Sequence, residues 1–130
     1  MNKESVIKDF NSTLLDFLQA FTGLCPTSIA AANIDLVKKI IDQKGKENLP
    51  IDQFTYYVLK YKPQIDKSDE RFFIDNTYEK EAQEVHGLIM VVNEIKNIWC
   101  DLHNENKKRV FGYMQVLCYY SEQYFLLVDS

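Results

Sequence analysis

Cys100 and His103 stand three residues apart, the spacing of half a zinc site, and one helical turn brings a thiol within reach of an imidazole base. Two kinds of chemistry follow from such a pair: metal ligation and attack by a thiolate. Zinc needs four ligands, or three and a water, and the other candidates are His86, Cys25 and Cys118, none of them in a second paired motif. His86 and His103 are separated by about 25 Å along one straight helix at 1.5 Å per residue, so one ion cannot join them unless that helix breaks. A thiol enzyme would further need a third orienting group and a loop that holds an oxyanion, and the sequence offers neither. The simpler reading is a cysteine at the edge of a core and a histidine at a helix terminus.

Other chemistry is thinner still. Glu81 with Glu84, and Asp69 with Glu70, are carboxylate pairs, but on a helix surface such pairs serve solubility. The four glycines are isolated, and neither a G-x-x-x-x-G-K-[ST] nor a G-x-G-x-x-G phosphate loop occurs. No catalytic residue, metal site or cofactor is expected. The basic turn Lys107-Lys108-Arg109, with Tyr113 beyond it, is the best nucleic-acid candidate, although positive charge there opposes a helix dipole. Tyrosines carry more weight. Tyr56 adjoins Tyr57 and Tyr119 adjoins Tyr120, and neighbours on a helix cannot share one core face. Tyr56, Tyr57, Tyr113, Tyr120 and Tyr124 are therefore the expected interface residues, because tyrosine buries a large ring and keeps a hydrogen-bonding tip.

These side chains must be positioned by helices. Val85, Leu88, Val92, Ile95, Trp99 and Leu102 alternate in steps of three and four, a stripe that lies on one side of a helix and must be buried. That helix is read as spanning 77–102, with Gly87 inside it, and as the centre of the fold. A first helix over 3–21 carries Ile7, Phe10, Leu14, Phe17 and Phe21, and Gly23 with Pro26 should end it. A second, over 27–44, starts at Thr27 or Ser28 and stops at Gly45, with Ala30, Ile34, Val37 and Ile41 inward. A third, over 50–61, begins at Pro50 and turns Ile51, Phe54, Val58 and Tyr61 inward. Residues 62–76 read as irregular: Pro63 breaks the pattern, and Ser68-Asp69-Glu70-Arg71 forms a capped turn before Phe72-Phe73. Asn104 is the expected cap of a fifth helix over 105–127, with Val110 or Phe111, Met114, Leu117 or Cys118, Ser121 and Phe125 inward. The expectation is one all-α domain over 1–130, a bundle of about five helices joined by short, antiparallel connections.

Composition narrows the function classes. The chain has 130 residues, 46% hydrophobic and 26% charged, with a net charge of −4. A mildly acidic chain is a poor phosphate binder. Acids crowd residues 66–84, while Lys38, Lys39, Lys44 and Lys46 gather elsewhere; such runs read first as solvated faces. Three cysteines are an odd set, more in keeping with a reducing compartment than with a disulfide framework. The first eight residues show no apolar signal core, and the longest apolar runs reach about five residues against the roughly twenty that span a bilayer. The sequon at Asn11 has little meaning without export. No membrane association is expected. The location expected is intracellular, in a reducing compartment such as the cytoplasm or nucleus.

Two segments, Asp69-Glu70-Arg71-Phe72-Phe73 and the stretch 95–117 from Ile95-Lys96-Asn97-Ile98-Trp99-Cys100 to Gly112-Tyr113-Met114-Gln115-Val116-Leu117, resemble short helical proteins of large nucleocytoplasmic DNA viruses. The Asn- and Lys-rich composition agrees. The resemblance covers the C-terminal half and implies an origin, with no functional residue to carry over. The function expected is a non-enzymatic protein–protein interaction module, a viral accessory or virion-associated protein. It would pair with itself as a homodimer through the C-terminal helix, with Tyr120 and Tyr124 near the centre. The alternative is a small nucleic-acid-associated protein that uses Lys107, Lys108 and Arg109.

Overall fold

A computed structural model describes residues 2–24, 29–71 and 94–128. The described residues are all-α and contain no strand. Helix α1 (Lys3–Leu24) opens on Asn2, whose side-chain Oδ1 accepts the Ser5 amide at 2.7 Å, a side-chain cap on an otherwise orphaned donor. It passes through Gly23 rather than stopping there, and ends at Leu24. An isolated glycine weakens a helix by only about 1 kcal/mol, too little to end one whose apolar face is packed along its length. Helix α2 (Ile29–Asp42) is followed by a turn in which Gly45 takes φ +89° and donates its amide to Glu47 Oε2 at 2.7 Å. The expected caps at Thr27 and Ser28 lie outside the described residues, as does Pro26.

Proline 63 shapes the next stretch. Helix α3 (Leu49–Tyr57) has Pro50 in its first turn and ends four residues earlier than its apolar pattern suggests. A proline has no N–H to donate to the carbonyl four residues back, and its ring crowds that carbonyl. The chain therefore tightens into a 3-10 turn (Leu59–Tyr61) and restarts as α4 (Lys62–Asp66) with Pro63 in the first turn. Residues 62–66, expected to be irregular, are thus helical. The irregular part is Lys67 onward, where Ser68 adopts φ +52° and Arg71 donates its amide to Asp69 Oδ1 at 3.1 Å. Phe72 and Phe73 lie outside the described residues.

Most of the expected fourth helix, with Val85, Leu88 and Val92, also lies outside them. Its described end is helical over 94–98, tightens into a 3-10 turn (Trp99–Asp101), and leaves Leu102 extended. Helix α5 (Asn104–Val128) follows. The Lys107 amide bonds to the His103 carbonyl at 3.0 Å, so His103, not Asn104, is the cap position.

One hydrophobic cluster holds these elements together. Among the described residues, α1 and α5 form the most extensive pair, with α2 beside α1 and with α3 and α4 against α5. Aromatic edges lock the layers. Phe10 meets Phe54 of α3 edge-on with centroids 5.5 Å apart, and Trp99 meets Phe111 of α5 edge-on at 5.3 Å. No helix among the described residues is long and apolar enough to cross a membrane.

Candidate interaction surface

The inward face of α5 is Val110, Phe111, Met114, Leu117, Cys118, Ser121 and Tyr124, all buried. Its last turn reverses the sequence reading. Tyr124, expected on the surface, is only 6% exposed, whereas Phe125, expected inside, is 48% exposed. The steps of three and four from Ser121 fit either residue; chemistry across the interface decides. Tyr124 donates its hydroxyl to Asp52 Oδ1 of α3 at 2.5 Å, and the other oxygen of Asp52 accepts Asn48 Nδ2 at 2.7 Å. The Lys3 ammonium sits 5.7 Å from the Tyr124 ring centroid. Burial, and then the hydrogen bond to the Asp52 carboxylate, push the Tyr124 phenol up to about 12. Tyr124 joins α5 to α3 and keeps only a small part of its surface exposed.

The other tyrosines divide. Tyr113 is half-buried and stacks on Phe17 at 5.3 Å, a contact between α5 and α1. Tyr120 is half-buried, with the ring of Tyr119 edge-on to it at 5.5 Å. Tyr56 is 74% exposed. It walls a cleft of about 510 Å³ with Phe125, Leu59, Thr55 and Lys60, floored by Asp52 and Tyr124. The side chain of Tyr57 lies outside the description.

The basic turn is depleted. Lys107 is mostly covered: its ammonium lies 3.3 Å from Glu70 Oε1 and 5.5 Å from the Trp99 ring centroid, and Trp99 Nε1 donates to the same carboxylate oxygen at 3.2 Å. Lys108 and Arg109 remain exposed. Cys100 lies in the 3-10 turn, and the extended Leu102 separates it from His103, so the two do not share a continuous α-helix. Both are exposed. Cys118 is the opposite case, since burial pushes its thiol up to about 12 and leaves it no thiolate at neutral pH. His86 and Cys25 lie outside the described residues, among which no three His, Cys, Asp or Glu side chains gather as a metal site. Asp69 and Glu70 do not form a working pair: the Arg71 guanidinium holds the Asp69 carboxyl below the usual range, and Glu70 faces Lys107. Glu81 and Glu84 lie outside the description.

A second cleft, of about 520 Å³, opens between α1 and the end of α2, lined by Ile7, Leu15 and Ile41 with Glu4, Lys8 and Glu47. Asn11 is buried beside it and donates Nδ2 to the Glu47 carbonyl at 2.8 Å, which removes the nitrogen a glycan would need. Its Oδ1 is buried without a partner, and the residue itself lines the cleft.

One feature of α5 escaped sequence reading. Gly112, Val116, Tyr119, Gln123 and Leu126 recur in steps of four, three, four and three, and the row continues backward to Arg109 and Glu105. This is a second heptad stripe, on the side of α5 opposite its core face. Val116, Tyr119 and Leu126 are all exposed, as is Gly112, and Gln123 is partly so. The signal was countable from sequence, but the inward stripe of the same helix, richer in apolar residues, hides it.

No family model matches the chain. No solved structure matches it. The chain is similar to an uncharacterized protein of Acanthamoeba polyphaga mimivirus, at 24% identity over 130 residues, covering 95% of this chain and 72% of the other. The resemblance to proteins of large DNA viruses is therefore present, and it spans nearly the whole chain rather than the C-terminal half alone.

Proposed function

We propose that this chain is a non-enzymatic protein–protein interaction module of viral type, and that its working surface is the outward face of α5. The observation that carries the reading is the exposed row Gly112, Val116, Tyr119 and Leu126. Among the described residues, a helix already packed against α1, α3 and α4 gains nothing from apolar side chains on its far side. Water-facing apolar rows at coiled-coil spacing are what a second helix covers. The aromatic cleft of Tyr56 and Phe125 lies on another side of the same helix and adds apolar area near its C-terminal end. Self-pairing as a homodimer, in an intracellular setting or a virion, is the form this reading takes. Nucleic-acid binding loses support, because Lys107 is already engaged by Glu70 and two exposed cations remain of three.

The experiment is affinity capture from infected cells with the natural chain and with a Val116→Glu, Tyr119→Glu variant, the fold of both checked by circular dichroism. Proteins held by the natural chain and lost with the variant support the reading. Identical captures by two equally folded chains refute it.

A further inference from the structure

Resting on that reading, we propose that the occupant of the α5 face is the α5 helix of a second copy, laid antiparallel so that Val116 of each chain faces Tyr119 of the other. The two-fold axis then passes between these layers. Gly112 falls opposite Gln123, and Arg109 falls opposite Leu126. Three features of the helix select this arrangement.

The first is volume. In the antiparallel register each layer sets a small or flexible side chain against a large one: glycine against glutamine, valine against tyrosine, and the aliphatic stem of arginine against leucine. Knobs of one helix enter holes in the other. A parallel pairing would set Tyr119 against Tyr119 and Gln123 against Gln123. The second is Gly112. A glycine in the interior of a helix weakens it relative to alanine, and among the described residues beyond the helix's own backbone nothing lies within 4 Å of the place its Cβ would occupy. No packing among the described residues calls for it, while close approach of another helix does.

The third is charge. Lys108 and Arg109 lie exposed near the start of α5, where they oppose its own dipole, and its last turn holds no basic residue. Antiparallel pairing brings each basic start beside the carbonyl end of the partner helix, so the same two residues become favourable. Parallel pairing would stack Arg109 on Arg109. From Arg109 to Leu126 the contact runs about 25 Å at 1.5 Å per residue, a small interface, so a micromolar rather than nanomolar dimer is expected.

The test is cross-linking with sedimentation equilibrium, on full chains in which Cys25 and Cys100 are replaced by serine. Gly112→Cys and Gln123→Cys are made separately. An oxidised mixture of the two should form a disulfide dimer, whereas Gly112→Cys alone should not. Val116→Lys should weaken the natural dimer at least about tenfold, because the charge enters the interface twice. Self-cross-linking of Gly112→Cys would overturn the antiparallel pairing. A monomer mass up to about 100 μM would overturn self-pairing altogether. The broader reading survives that second result if Val116→Glu with Tyr119→Glu still abolishes capture of another protein, and fails with it if capture is unchanged.

Discussion

At the residue scale, Tyr124 and Trp99 define what the core tolerates. Tyr124→Phe removes one hydroxyl and leaves Asp52 bonded to Asn48 alone. A bond to a carboxylate at a partly buried site predicts a loss of about 1–2 kcal/mol in urea unfolding. The same residue predicts an alkaline limit. Its phenol titrates near 10 when unfolded and is raised to about 12 in the folded chain, so the fold holds the proton more tightly and the stability it contributes is complete below pH 10. That contribution fades as pH rises through 12. Cys118, raised from 9 to about 12, acts in the same direction. Urea midpoints measured from pH 8 to 12 should fall less steeply in Tyr124→Phe than in the natural chain. Trp99 is 1% exposed and packs edge-on against Phe111. Trp99→Ala should cost about 3–5 kcal/mol, and a change under about 1 kcal/mol would remove it from the core.

At the element scale, the bundle was readable where one face dominates and unreadable where two influences compete. The stripes of α1 and of the first four turns of α5 are buried as their spacing requires. The final turn of α5 was ambiguous, since only the Asp52 carboxylate on another helix separates Tyr124 from Phe125. Pro63 carried two meanings, a break in one helix and the start of the next, and spacing alone shows only the first. The fourth helix holds the plainest stripe in the sequence, yet the described structure tests only its last residues, where Ile95 and Trp99 are buried. The candidate surface was legible in part: tyrosine pairs point to α5, but spacing does not show that Tyr124 is buried while Val116, Tyr119 and Leu126 are exposed. Gln115 shows what spacing cannot convey. Its Nε2 donates to the Ile65 carbonyl at 3.0 Å and to Ser68 Oγ at 3.1 Å, pinning the turn that holds Ser68 at positive φ. Gln115→Leu should cost about 1 kcal/mol and speed amide exchange at residues 65–69 while the α1–α5 core stays protected. Gly112→Ala should do the reverse, raising monomer stability by about 1 kcal/mol in thermal melts, because the site is open and alanine is the better helix former.

At the scale of the whole molecule, two cysteines of unequal access measure how the fold opens. Cys100 is exposed and Cys118 is fully buried between helices. Under native conditions a thiol reagent such as iodoacetamide should label Cys100 rapidly and Cys118 only when the bundle unfolds, so the slow rate tracks global stability. Labelling of both at comparable rates would mean that α5 detaches from its neighbours without full unfolding. The inward face of that one helix holds the monomer together, and the outward face is the one proposed above for a second helix.

The chain contains a single indole, and its surroundings give it an optical use. The ring of Trp99 is shielded from water, edge-on to Phe111, with the Lys107 ammonium near its face and the Glu70 carboxylate on its nitrogen. Its emission should therefore be short in wavelength and sensitive to the charges beside it. Glu70 belongs to the turn after α4 and Lys107 to the first turns of α5, so the colour of one fluorophore reports whether two parts of the chain, distant in sequence, are joined. Glu70→Gln should shift that emission while the far-ultraviolet dichroism of the helices stays as it was, giving a label-free readout of a single junction.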